Sequence, residues 1–402
     1  MDGWSGVEGF ELLLPKKVVF GWGRRAELAE LAKGLGRRAW IVCGSRTLQK
    51  NGVLDELVQQ LDEVGIDSEL LVTVRREPLV EDVDRVVAEL LKQKPGERDF
   101  VLAVGGGSAV DLAKAVAALV VNADGRSVVD FLEGVGKGLK ITRPPLPVLA
   151  VPTTAGTGSE ATKNAVISNL DPPFKKSLRS EFMVPPLVLI DPELSVSVPP
   201  ETTTYTGMDA VTQLVESYVS RRAKPVPQAL AWKGLELALP AIERVVKNGE
   251  DREARERMAL AAFLSGVALA NSGLGLAHGV AAALGVHAGV PHGLACAVML
   301  PVAVRVNLEV RLDEFAQMGT LLTGKQWSRD LPEHSKRELA ETFLTCLTEL
   351  CRRLNIPQRL SELGVKREQL PAVVQSSRGN SMSGNPRQLT DEELHELLEE
   401  ML

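Results

Sequence analysis

Hydrophobic and polar positions follow two different patterns along this chain, and the change comes near residue 195. Before it, short apolar runs recur at 39–43 (AWIVC), 69–74 (ELLVTV), 100–104 (FVLAV), 147–151 (PVLAV) and 187–190 (LVLI). Such runs, bounded by turn residues, predict buried strands. Between them, 52–64 and 83–92 place apolar residues at helical spacing. Strands alternating with helices predict a parallel sheet covered on both faces, and 18–20 is a candidate flanking strand. After Asp191-Pro192-Glu193-Leu194 and a linker at 195–200, the strand pattern stops. Segments 202–220, 228–247, 252–270, 293–307, 336–355 and 391–402 predict helices, and 324–335 and 376–386 predict loops. The expected architecture is α/β followed by all-α, with domains over 1–195 and 196–402 and a substrate cleft between them.

Composition narrows the setting. A chain of 402 residues exceeds one ordinary core. A net charge of −6 gives no electrostatic reason to expect nucleic acid or an anionic membrane as partner. No apolar run reaches the roughly 18 residues of a membrane span. The early acidic residues are unlike a secretory signal. The four cysteines (Cys43, Cys296, Cys346, Cys351) lack zinc-ligand spacing. These features predict a reduced, cytoplasmic enzyme.

Two constellations carry chemistry. The first is Gly105-Gly106-Gly107-Ser108-Ala109-Val110-Asp111, which follows the 100–104 strand and opens an Ala-rich helical segment. A strand, a glycine turn and a helix N-terminus present free N–H groups and a dipole to a pyrophosphate. This predicts a Rossmann-like dinucleotide-binding half. The second combines Asp209 and Gln213, four apart on one helix face, with His278 and His292 in Gly-flanked apolar settings. One carboxylate and two imidazoles suit Fe2+ or Zn2+ and leave positions open for substrate. At the end of the first predicted strand, Ser45 and Arg46 offer donors where an acidic residue would favour NAD, so the sequence leans to NADP over NAD.

Ordered motifs then connect the two halves: Phe20-Gly21, 105–111, 151–160 (VPTTAGTGSE), 191–194, Gly207-Met208-Asp209-Ala210, Pro291-His292-Gly293 and Asn385-Pro386-Arg387. Nearly end to end, the chain resembles the iron-containing (group III) alcohol dehydrogenase family. The resemblance implies the family's dehydroquinate synthase-like fold, an N-terminal dinucleotide-binding domain followed by a C-terminal helical metal- and substrate-binding domain. It implies NAD(P)-dependent, metal-assisted interconversion of an alcohol and its aldehyde or ketone, and a homodimer. The implied cofactor residues are Gly105, Gly106, Gly107, Ser108, Asp111, Thr153, Thr154, Thr157 and Ser159. The family's cleft lysine falls on Lys175, with Lys176 beside it; the bland alternative is a solvated pair in a loop. The implied metal ligands are Asp209, His278 and His292. The family's remaining ligand, a histidine, is Gln213 here, a neutral and weaker donor. The resulting Asp/His/His set resembles the zinc site of glycerol dehydrogenases in the same superfamily. Many relatives have a further histidine where this chain has Ala282. His287, nearby but at an unmatched position, is a weak candidate for a catalytic base. The alternative enzyme reading is a metal-independent keto-acid reductase resembling maleylacetate reductases, which Gln213 keeps open. A dehydroquinate synthase-like cyclase and a cofactor-binding protein without turnover stand behind it.

Overall fold

The structure, a computed structural model, describes residues 9–402. The strands are β1 (Lys17–Phe20), β2 (Arg38–Cys43), β3 (Asp67–Thr73), β4 (Asp99–Gly105), β5 (Val148–Pro152), β6 (Asn164–Leu170), β7 (Pro173–Arg179) and β8 (Leu187–Ile190). Six of them form one sheet in the order β1-β8-β5-β4-β2-β3, and every pairing in it is parallel. Four of the five predicted apolar runs are the buried inner strands β2, β4, β5 and β8, since a parallel strand covered on both faces has no polar side. The fifth, 69–74, falls on the edge strand β3, none of whose residues is buried. Successive side chains go to opposite faces. Trp40, Val42, Val101 and Ala103 enter one core, while Ile41, Cys43, Leu102 and Val104 enter the other.

β2 is followed by β3 on one flank and by β4 on the other. Strand order therefore reverses between β2 and β4, and the crevice at the carboxyl ends there is where open α/β sheets take ligands. The backbones meet closely at those ends. The Gly44 N–H donates to Val104 O at 2.7 Å, and a Cβ on Gly44 would lie 2.6 Å from Gly105 Cα. The Asp191-Pro192-Glu193-Leu194 segment is a pin at the same edge. Its Asp191 carboxylate accepts from the Gly23 and Arg25 N–H groups at 2.9 and 3.0 Å.

Residues 164–179 correct the sequence reading. They form an antiparallel hairpin, β6 with β7, so Lys175 and Lys176 stand on a strand and not in a loop. Only Ala165, Ile167 and Leu178 of this hairpin are buried apolar residues, too few to display a clean alternation.

From Pro200 onward every described helix or strand is helical. The segment 228–247 is two helices, Pro225–Ala238 and Ile242–Lys247, broken beside Pro240, whose ring cannot continue the hydrogen-bond ladder. Helix Glu333–Arg353 starts inside the expected 324–335 loop. Helices Leu276–Ala288, Leu312–Thr323 and Leu370–Ser377 were not anticipated. The first is buried nearly all round in its opening turns, and a helix without a polar face shows no amphipathic period. Helix Pro200–Val219 runs through the core of this half. No single helix among the described residues is long and apolar enough to cross a membrane.

Candidate active site

A cleft of about 530 Å3 lies between the carboxyl edge of the sheet, the β6–β7 hairpin and the helical half. Gly107, Ser108 and Thr154 line it on the sheet side, and Asp209, His278 and His292 line it on the helical side.

Three helices bring the donors together. Asp209 sits midway along Pro200–Val219, His278 lies in the first turn of Leu276–Ala288, and His292 begins His292–Asn307. Asp209 Oδ1 is 3.2 Å from His278 Nε2 and 4.0 Å from His292 Nε2. A fourth residue, Cys296, joins them one turn after His292, its Sγ 3.8 Å from His292 Nε2. One donor atom from each of the four lies within 4.8 Å of the others.

The surrounding bonds orient this cluster. Thr157 Oγ1 donates to Asp209 Oδ2 at 2.9 Å. Glu216 Oε2 lies 2.6 Å from His278 Nδ1, the carboxylate–histidine arrangement that fixes a ligand's tautomer and leaves Nε2 for a metal. The other Glu216 oxygen accepts from the Ala277 N–H at 2.7 Å, and Asn385 Oδ1 accepts from the Leu276 N–H at 3.0 Å. The start of the His278 helix is thus capped by side chains from distant segments, which gives the terminal Asn385-Pro386-Arg387 motif a structural purpose.

Charge follows from these contacts. Burial opposes ionisation of Asp209, but the His278 hydrogen bond and nearby His292 outweigh it and hold the carboxyl well below its ordinary range. Burial likewise opposes a charge on His278; Cys296, Asp209 and Glu216 around it push its pKa above the usual value. For His292, burial and then the Lys175 ammonium lower the pKa to about 4. At neutral pH its ring is uncharged and able to ligate.

Gln213 is fully buried. Its Nε2 donates to Thr157 O at 2.8 Å and to Ser265 Oγ at 2.9 Å, which leaves Oε1 without a hydrogen-bond partner; His292 Nδ1 has none either. A buried carboxylate, two imidazoles and a bare amide oxygen converging on one cleft fit a divalent metal by donor chemistry. Sequence reasoning did not identify Cys296 or Glu216. The signals were there: Asp209, Gln213 and Glu216 follow i, i+4, i+7 along one face, and His292 and Cys296 follow i, i+4.

On the cofactor side, Gly106, Gly107 and Ser108 are partly exposed where helix Gly107–Asn122 begins. A Cβ on Gly106 would lie 3.0 Å from Thr154 Oγ1, so the loop and the Thr154 segment form a close-walled cradle. Asp111 lines the cleft, but its oxygens accept from Ser159 Oγ and from the Val166 N–H. Fully buried Lys114 adds bonds to Ser159 O at 2.8 Å and Thr162 Oγ1 at 3.0 Å. Asp111 and Ser159 therefore tie the 153–162 loop to the glycine helix. Thr153 is buried, its N–H donating to Gly105 O at 3.0 Å. Ser45 and exposed Arg46 stand at the end of β2, where a five-residue helix starts.

Lys175 and Lys176 both line the cleft, and Lys175 Nζ pairs with Glu77 at 2.7 Å. Ala282 also lines it. His287 does not join the cluster. It lies nine residues beyond His278 on the same helix, about 13 Å along the axis, and bonds Ser376 Oγ at 2.6 Å.

Comparison with known proteins matches residues 15–192 to the family model described as iron-containing alcohol dehydrogenase, and residues 203–402 to the C-terminal model of the Fe-containing family. The chain is 31% identical to an NAD-dependent methanol dehydrogenase of Bacillus methanolicus, covering 97% of this chain and 99% of the relative. It is also 31% identical to an NADPH-dependent butanol dehydrogenase of Clostridium saccharobutylicum, covering 96% of each. The crystal structure of a 1,3-propanediol oxidoreductase superposes with a TM-score of 0.89 at 30% identity, over 98% of this chain and all of that one. In sequence, fold and site the chain belongs to the iron-containing alcohol dehydrogenase family.

Proposed function

We propose that this alcohol/aldehyde oxidoreductase works by hydride transfer between its substrate and NAD(P), with NADP(H) preferred, beside a divalent metal held by Asp209, His278 and His292. The observation that carries the reading is the meeting of those donors across the cleft from the glycine loop. The division of labour falls near residue 195, the α/β half holding the cofactor and the helical half the metal and substrate. Bound Zn2+ or Fe2+ would polarise the substrate oxygen as a Lewis acid.

The N–H groups at Gly106, Gly107 and Ser108 would hold the pyrophosphate at the helix N-terminus, and Thr154 and Thr157 would border the nicotinamide. The cofactor carries the hydride, so the protein's task is placement. Asp209, oriented by Thr157, and His278, oriented by Glu216, fix the oxygen-binding end of the cleft. Ala282 puts no titratable ring beside the reacting carbon, so the proton would travel by water or ribose hydroxyls. Ser45 and Arg46 supply donors for a 2′-phosphate, with no acidic side chain at either position to repel it. The converging donors speak against the metal-independent keto-acid reductase.

Oxidation of NADPH and NADH with a panel of aldehydes tests the reading. Turnover with several aldehydes, at higher kcat/KM for NADPH, is expected. Cofactor binding without turnover of any aldehyde by metal-loaded protein would overturn it.

A further inference from the structure

We infer that Cys296 is itself a metal ligand in this chain, a sulfur donor that makes up for the imidazole missing at position 213. The inference rests on the metal reading above and extends it.

Three observations lead there. First, Cys296 Sγ shares with Asp209, His278 and His292 a set of atoms all within 4.8 Å of one another. Three of the separations, 3.2, 3.8 and 4.0 Å, come within a few tenths of an ångström of the roughly 3.3–3.8 Å between neighbouring donors that bonds of about 2.0–2.3 Å in a tetrahedral set give. Second, the residue is fully buried, yet its sulfur faces a carboxylate and two imidazoles. Cys296 also packs within the apolar core of the helical half, but a thiol that only filled space there would need no carboxylate or imidazole at its sulfur. Third, Gln213 Oε1 is buried nearby without a protein partner, so position 213 offers the site only a neutral oxygen. Thiolate is the stronger and softer donor, and it turns the preference towards zinc.

Binding replaces the S–H bond with a sulfur–metal bond and releases the proton to solvent; no electron is transferred. One carboxylate and one thiolate balance a divalent ion, so the ion and its ligands together are neutral.

The test uses full-length protein loaded with zinc. X-ray absorption at the zinc edge should show a sulfur shell at about 2.3 Å beside nitrogen and oxygen near 2.0–2.2 Å. Cobalt-loaded wild type should show a sulfur-to-cobalt charge-transfer band that is lost in Cys296→Ser. Zinc competition against a chromophoric chelator should weaken in that variant by about 100-fold, the upper range for losing even an outer-shell partner. Bound zinc with nitrogen and oxygen neighbours alone, and unchanged affinity in Cys296→Ser, would overturn the inference and leave the Asp209/His278/His292 site standing. Wild-type protein that retains no zinc or cobalt would overturn the metal reading itself, and this inference with it. The absorption measurement on wild type decides the question even where the variant fails to fold.

Discussion

Gly266→Ala is a demanding test of how the two halves build one site. Gly266 lies in helix Arg252–Asn271 and packs directly against Gly158 in the loop after β5. A Cβ there would sit 2.1 Å from Gly158 O and 2.8 Å from its carbonyl carbon. Since 3.0 Å is the practical floor for a Cβ contact, helix and loop must part by about 0.9 Å, and both obstructing atoms are backbone. Alanine in a helix gains about 1 kcal/mol over glycine, while overpacking costs roughly 1–3 kcal/mol. The net loss of stability should then be small, about 0–2 kcal/mol. The functional loss should be larger. Thr157, next to Gly158, bonds Asp209 through its hydroxyl and Gln213 through its carbonyl. Misplacement by about 1 Å can cost 100-fold in rate. Urea unfolding and kcat/KM for aldehyde reduction, measured on the same preparation, should show a protein nearly as stable as wild type and about 100-fold less active. Activity indistinguishable from wild type would refute the claim that this contact sets the site.

Thr157→Val removes the donor to Asp209 and should weaken zinc binding by about 10–100-fold; unchanged retention in a chelator competition would contradict the orienting bond. Burial raises the Glu160 carboxyl from an ordinary 4.5 to about 7. Folded protein therefore holds a proton there that unfolded protein releases, and wild type loses stability as pH climbs from about 4.5 through 7. Glu160→Gln should accordingly be more stable than wild type by roughly 2–3 kcal/mol at about pH 8.5 and gain little at about pH 5; an equal difference at both pH values, by urea unfolding, would refute the burial argument. Ser45→Asp should lower the NADPH-to-NADH ratio of kcat/KM by at least about tenfold, and no change would remove β2's end from cofactor selection.

How much was legible in the sequence depended on how local the signal was. Buried parallel strands are continuous apolar runs, so β2, β4, β5 and β8 could be read directly. The β6–β7 hairpin could not, because its inner face holds few apolar residues and its lysines point to the cleft. The opening of helix Leu276–Ala288 is buried on every side and so lacks the polar stripe that marks a helix. At the site, Asp209, His278 and His292 were found through motif order and glycine context. Glu216 and Cys296 were missed because the i+7 and i+4 spacings that tie them to Asp209 and His292 gain their meaning only where three helices cross. Asp111 and Ser159 were expected at the cofactor, whereas the structure shows them also bonded to each other; a single motif can hold both a cradle and the staple that shapes it.

The central claim is that turnover depends on a divalent metal at Asp209, His278 and His292. Metal content and aldehyde-reducing activity, followed together through stepwise chelation and reconstitution, test it most directly. The account predicts about one zinc or iron per chain, activity lost in proportion as metal is removed, and recovery of both on adding it back. Fully active protein without metal would contradict the account and leave hydride transfer to the cofactor and cleft side chains alone.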